Sequence, residues 1–114
     1  MSVYEISNLS IEKGTDFNES FKILNDDGSP LGINSTFSGI AKLRKYSTSP
    51  YSYPFNVDLN EETSEVVISM AATMTATLPS GRCYFDLILI YGTTEIVTKK
   101  YLKGNIKVED TASL

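Results

Sequence analysis

The chain of 114 residues contains no histidine and no tryptophan, and its one cysteine is Cys83. Without histidine, the chain lacks the usual general base, the usual catalytic triad and the common zinc ligand sets. No serine lies in a nucleophile-elbow motif. A single cysteine cannot form an intrachain disulfide, and free cysteines are usually small buried hydrophobes. We therefore expect no enzymatic activity, no catalytic residue, no metal site and no cofactor.

The sequence also lacks the segments that direct a protein to a membrane. Its first 14 residues contain no basic region followed by a long apolar run, which is unlike a signal peptide. The longest nearly apolar stretch, residues 83–91, is far shorter than the roughly 20 residues of a membrane helix. Acidic residues outnumber basic ones by 14 to 10, and the net charge of −4 argues against a general nucleic-acid binder. We expect a protein made in the cytoplasm, with neither a membrane nor a nucleic acid as its partner.

What the sequence has instead is apolar alternation with a period of two, which is typical of strands. The predicted strands, seven or eight in number, are residues 3–11, 17–24, 37–46, 55–59, 65–70, 82–91, 95–102 and 104–108. The first has a kink or bulge near Asn8, and strand 82–91, with apolar residues on both faces, is expected to be central and largely buried. Short strands separated by turns predict an all-β, antiparallel sandwich. The length fits a single domain over residues 1–114, with a frayed tail at 109–114.

Residues 69–78 are the stretch with helical character. Met70, Met74 and Leu78 follow one another at a spacing of four, and the alanines between them favour helix. Threonine and serine dilute that preference. The segment therefore predicts one short helical turn near 70–78, with these three side chains facing the core together.

Two pairs of carboxylates, Asp26-Asp27 and Glu61-Glu62, lie in predicted turns. A glycosidase needs two carboxylates across a cleft, but acidic residues in turns more often bond the local backbone. The Asp26-Asp27-Gly28 sequence lacks the alternating ligands and the distal glutamate of a calcium loop. We interpret both pairs as turn residues.

Tyrosines and lysines are the candidate partner contacts. The candidates are Tyr46, Tyr51, Tyr53, Lys99, Lys100 and Lys103. The tyrosines either cover one end of the sandwich or form a contact or sugar-stacking surface. The lysines make the C-terminal hairpin basic, whereas the first 27 residues carry six acidic and two basic residues. Solvation and edge protection explain most such clusters, but opposite charges also suit contacts between neighbouring copies.

A series of motifs extends over residues 11–109. The second half reads EVVISM, TMTATL, LPSGRCYFDLIL and GNIKV, and the first half adds KGTDF, DDGSPLGI and FSGIAKLRKY. This order resembles the small all-β structural proteins of tailed bacteriophages, especially myovirus-type virion proteins and the β-sandwich modules of baseplates, necks and fibre attachments. That pattern often reads G-x-Y-x-Y-D after the helical turn. Here Gly81 and Asp86 match it, but Cys83 and Phe85 stand at the tyrosine positions, so packing must hold this corner.

The resemblance implies an immunoglobulin-like sandwich, although the chain lacks the tryptophan and the cysteine pair of true immunoglobulin domains. It further implies a non-enzymatic structural protein of the virion, in the neck, tail, baseplate or head, whose partners are other virion proteins and copies of itself. Because the chain starts at its own methionine, we expect a separate subunit. The alternative is a carbohydrate- or receptor-binding β-sandwich module that uses Tyr51 and Tyr53 as a stacking platform, against which the lack of tryptophan counts.

Overall fold

The computed structural model describes residues 4–46 and 48–111, and within them the chain is mostly β. Eight strands and one short helix follow one another in these residues. They are β1 (Tyr4–Glu12), β2 (Phe17–Lys22), β3 (Ser38–Arg44), β4 (Tyr53–Pro54), β5 (Asn56–Asn60), β6 (Glu65–Met70), α1 (Ala72–Thr75), β7 (Gly81–Tyr91) and β8 (Val97–Glu109). The predicted helical turn near 70–78 is confirmed. The number of strands is within the predicted seven or eight, but β4 was not predicted and two predicted strands are one.

The strands form two open sheets with a shared core. The larger sheet has the order β1-β8-β7-β3-β4, and the smaller has the order β2-β6-β5. Apolar side chains of both sheets belong to one buried cluster, among them Leu87 and Leu89 of β7 and Val66 and Ile68 of β6. Two sheets that bury their inner faces against each other are consistent with a β-sandwich.

The prediction that all strands are antiparallel is wrong for β1. This strand pairs with β8 in parallel, from Tyr4 opposite Leu102 to Glu12 opposite Glu109, so the larger sheet is mixed. Alternation reveals which residues share a face but not which strand is the neighbour. Because β2 joins the smaller sheet, β1 forms no hairpin with it. The kink predicted near Asn8 is confirmed, since the register shifts between Ile6 and Leu9.

The predicted strands 95–102 and 104–108 form a single strand, β8. Lys100 lies opposite Ile88 and Leu102 lies opposite Leu87, so Tyr101 is an extra residue in β8. This bulge allows Tyr101 and Leu102, although adjacent, to be buried together. The break in alternation made one strand look like two.

The predicted frayed tail, residues 109–114, is described as far as residue 111. Glu109 is the last residue of β8, and the Thr111 hydroxyl donates a hydrogen bond of 2.9 Å to the Lys13 carbonyl. Residues 112–114 lie outside the described residues.

Strand β7 occupies the middle of the larger sheet, as predicted. Its inward residues Cys83, Phe85, Leu87 and Leu89 are buried. The prediction that β7 is largely buried holds for its inner face alone, because on the outer face Tyr84 is exposed and Ile88 is half-buried. In a two-layer arrangement each sheet buries one face, so the apolar residues on the outer face stay partly accessible to water.

The helical segment places only two of its three predicted residues in the core. Met70 and Leu78 are buried, whereas Met74 is 38% exposed. Met70 ends β6 and Leu78 follows the helix, so a helical spacing of four does not relate them. The buried helical residue is Thr75, whose hydroxyl oxygen accepts a hydrogen bond from the Gly14 N–H at 3.0 Å.

Candidate contact surface

A groove of about 400 Å³ lies on the outer face of the five-stranded sheet. Among the side chains that line it are Lys42, Arg44, Tyr84, Asp86, Lys100 and Lys103. Four basic residues against the two carboxylates of Asp86 and Glu5 give the groove a positive charge. We call it the basic groove.

Strand register produces a row of alternating charges across this groove. Glu5 of β1 lies opposite Lys103 of β8, Lys103 lies opposite Asp86 of β7, and Asp86 lies opposite Lys42 of β3. The Lys103 Nζ is 3.4 Å from Glu5 Oε1, and the Lys100 Nζ is 3.2 Å from Asp86 Oδ2. Because these pairs are half exposed, they add little to stability. They pair Lys100 and Lys103 with the two carboxylates, and the net positive charge of the groove comes from Lys42 and Arg44.

The neighbouring row is formed by Arg44, Tyr84 and Asn105. The Arg44 Nη1 donates a hydrogen bond of 2.7 Å to the Ser49 carbonyl, and the Tyr84 ring is exposed. Within residues 4–46 and 48–111, the buried Asn105 Oδ1 has no hydrogen-bond partner. A buried acceptor without a donor lowers the stability of the fold.

Of the predicted lysines, Lys100 and Lys103 line the basic groove. Lys99 lies opposite Leu89, a residue on the inner face of β7. Its side chain is exposed and does not line the groove. The structure therefore brings two of the three lysines together and separates the third.

The predicted tyrosines divide in the same way. Tyr46 is 63% and Tyr51 is 77% exposed, which leaves both rings available for contact. Tyr53 belongs to β4, is half buried and packs against the core cluster, so it covers the core. The Lys45 Nζ lies 6.0 Å from the centre of the Tyr46 ring, within the range of a cation–π contact.

Sequence reasoning missed the contributions of β3 and β7 to the groove. Lys42 and Arg44 fall on the outer face by simple alternation, and this signal was visible. What the alternation does not reveal is that β3, β7 and β8 are adjacent in the sheet. Without that order, Lys42 cannot be placed beside Lys100 and Lys103.

The acidic first quarter and the basic C-terminal hairpin do not form two separate surfaces. They adjoin, because β1 runs beside β8. Glu5 pairs with Lys103, and Lys13 Nζ lies 3.6 Å from Asp110 Oδ1. Part of the charge predicted to face neighbouring copies is therefore paired within the chain.

Other polar and nucleophilic groups have local roles. The backbone N–H and hydroxyl of Ser29 donate to Asp27 Oδ1 at 2.9 and 2.6 Å, and these bonds lower the pKa of Asp27. Burial raises the pKa of the Cys83 thiol, an effect that Lys45 opposes. Since the thiolate is the reactive form, this environment disfavours Cys83 as a nucleophile.

The described part of the chain holds no group of three or more Cys, Asp or Glu side chains placed to bind one metal ion. None of its helices is long and apolar enough to cross a membrane.

Comparison with known proteins yields little. No protein-family model matches the chain, and no curated protein matches it. Among solved structures, the chain is similar to a nucleoside hydrolase-related hypothetical protein from Saccharophagus degradans that is associated with carbohydrate metabolism. The two are 13% identical with a TM-score of 0.37, and the match covers 95% of this chain and 23% of that chain. This chain therefore spans about a quarter of that protein's length.

Proposed function

We propose that the chain is a non-enzymatic structural subunit of a tailed-bacteriophage virion, which acts through protein–protein contacts in the neck, tail, baseplate or head. The observation that carries the contact role is the open outer face of the five-stranded sheet, where the basic groove lies. The resemblance of the motifs in residues 11–109 to those of phage structural proteins supports the proposal that the chain is part of a virion. The subunit is made in the host cytoplasm, takes no cofactor, and binds other virion proteins and copies of itself.

The finer fold that we propose is an immunoglobulin-like sandwich. Such domains place the third, sixth and seventh strands in one sheet and the first, second, fourth and fifth in the other. With the two-residue β4 counted as an addition at the edge, the orders β8-β7-β3 and β2-β6-β5 correspond to this division. Strand β1 departs from it, because it pairs with β8 and not with β2. At the positions where a tyrosine corner would stand, Cys83 and Phe85 are buried, which supports a corner held by packing.

A second candidate function is binding of a host carbohydrate or receptor. The exposed rings of Tyr46 and Tyr51 favour it, since aromatic faces offer contact area at low entropic cost. A glycan array with the isolated chain distinguishes this function from the first. Binding that is lost in Tyr51→Ala and kept in Thr73→Ala, a change at another exposed residue, would support the carbohydrate role.

Mass spectrometry of purified virions tests the proposed function. A structural subunit should be present in a fixed stoichiometric ratio to the other virion proteins and should be labelled on the particle by an antibody against this chain. Absence of the chain from virions made by the same infected cells would overturn the proposal.

A further inference from the structure

One end of the molecule is uniformly acidic. It consists of the loops 24–37, 60–64 and 92–96, which together carry five carboxylates and no basic residue. These are Asp26, Asp27, Glu61, Glu62 and Glu95. The Ser64 hydroxyl accepts a hydrogen bond from the Gly32 N–H at 3.3 Å, and the Thr36 hydroxyl accepts one from the Gly92 N–H at 3.4 Å. These contacts tie the three loops together, and we call the resulting surface the acidic end.

The tip of the acidic end is held in one conformation. The Asn60 Oδ1 accepts hydrogen bonds from the backbone N–H groups of Glu62 at 3.0 Å and of Thr63 at 3.2 Å. Glu61 and Glu62 are exposed and form no ion pair within the described residues. An ordered turn that presents two unpaired carboxylates loses little entropy when it docks.

The basic groove complements this end. Lys42 forms no ion pair within the described part of the chain, and the groove as a whole has twice as many basic as acidic side chains.

We propose that the acidic end of one copy docks in the basic groove of the next copy. This inference rests on the proposed function and names the contact by which copies of the chain join. The two surfaces are different, so the contact is heterologous, and every added copy leaves one acidic end and one basic groove for another. Such a contact builds a ring or a filament. It needs to bury upwards of about 1,000 Å² in total, and one copy has a surface of 6813 Å².

Exchange of charge between the two surfaces tests the contact. In one variant of the full chain, Glu61→Lys and Glu62→Lys reverse the charge at the tip of the acidic end. In the other, Lys42→Glu and Lys100→Glu make the groove acidic. Each variant alone places like charges at the tip and in the groove, so its self-association should weaken about tenfold or more. An equimolar mixture restores opposite charges between tip and groove at every contact and should associate as the native chain does.

Sedimentation equilibrium up to about 1 mM protein detects even a weak contact. The native chain should associate at about 0.1 M salt, where the Debye length is about 10 Å. It should dissociate at about 1 M salt, because the Debye length of about 3 Å screens the charges. The matched control is Glu12→Lys with Asp110→Lys, which changes the net charge as much as the tip variant does, at exposed carboxylates outside the acidic end. It should associate like the native chain.

A native chain that stays monomeric at low salt, or folded variants whose mixture stays monomeric, would overturn the contact. Circular dichroism checks that each variant is folded. If the glutamates prevent folding, Lys42→Gln with Lys100→Gln replaces the groove variant. This neutral variant should also weaken the self-association of the chain. If the chain is present in virions but the mixture of the two variants does not associate, this contact is overturned and the proposed function is not. Absence from virions overturns the proposed function and leaves the measured self-association standing.

Discussion

A β-carbon on Gly104 of β8 would overlap the carbonyl oxygen of Ile6 in β1. The two residues are partners in the parallel pairing of these strands, immediately before the register of β1 shifts. Glycine is needed here for close approach between two backbones. The mixed sheet thus depends on a position that is occupied by the smallest residue.

Gly104→Ala should therefore destabilise the protein by about 1–3 kcal/mol, the usual cost of inserting a methyl group where there is no room. Urea denaturation measures the change. Ser10→Ala, in β1 on the exposed side, is the control and should cost less than about 0.5 kcal/mol. Equal stabilities of Gly104→Ala and the native chain would show that β1 does not approach β8 this closely.

Thr75→Val should destabilise the link between α1 and the turn after β1. The Thr75 hydroxyl accepts from the Gly14 N–H and donates to the Thr15 carbonyl at 2.8 Å, and the side chain is fully buried. Valine has a similar shape but leaves both backbone groups without this partner, at a cost of about 1–3 kcal/mol. Thr73→Val, exposed in the same helix, should change the free energy of unfolding little. A similar effect of both substitutions would contradict the role of the hydroxyl.

Leu87→Ala or Leu89→Ala should each cost about 2–5 kcal/mol, because both empty a site in the core. Ile88→Ala, on the half-buried outer face between them, should cost less. Denaturation curves of the three variants measure the difference. Costs below about 0.5 kcal/mol for both leucine variants, the level of surface changes, would contradict the assignment of the inner face of β7.

Much of the fold could be predicted from local patterns. Alternation in residues 65–70 matches β6 at both ends, and the irregular spacing of Ile6 and Leu9 indicated the bulge in β1. Pairing between distant segments could not be predicted. Nothing in the sequence of β1 specifies a parallel partner some 100 residues away, and the bulge at Tyr101 disguised one strand as two.

The candidate surface shows the same limit. Lys100 and Lys103 were found because they are close in sequence, whereas Lys42 reaches them only through the order of β3, β7 and β8. The acidic end was not recognised at all, because its carboxylates come from three loops that meet only in the folded chain. The distribution of charge along the sequence predicted an acidic surface on β1 and a separate basic surface on β8. In the structure the two strands are adjacent, and Glu5 forms an ion pair with Lys103.

The hydroxyls of Tyr91 and Tyr101 lie 2.9 Å apart, and Tyr101 is 1% exposed. Burial, together with this hydrogen bond, raises the pKa of Tyr101 well above its ordinary value, which is about 10. In the unfolded chain Tyr101 ionises near that value, while in the native chain it keeps its proton. Above about pH 10 the unfolded state therefore binds fewer protons, and stability falls as the pH rises.

Tyr101→Phe should remove this part of the alkaline loss of stability. A single group that ionises only in the unfolded state contributes a slope of about 1.4 kcal/mol per pH unit, so the native chain should lose stability more steeply than the variant above about pH 10. Urea denaturation over a series of pH values measures both slopes. Tyr51→Phe, at a tyrosine that is 77% exposed, is the control and should follow the native chain. If native protein and Tyr101→Phe lost stability in parallel throughout this range, Tyr101 would have to ionise in the folded state as readily as in the unfolded one.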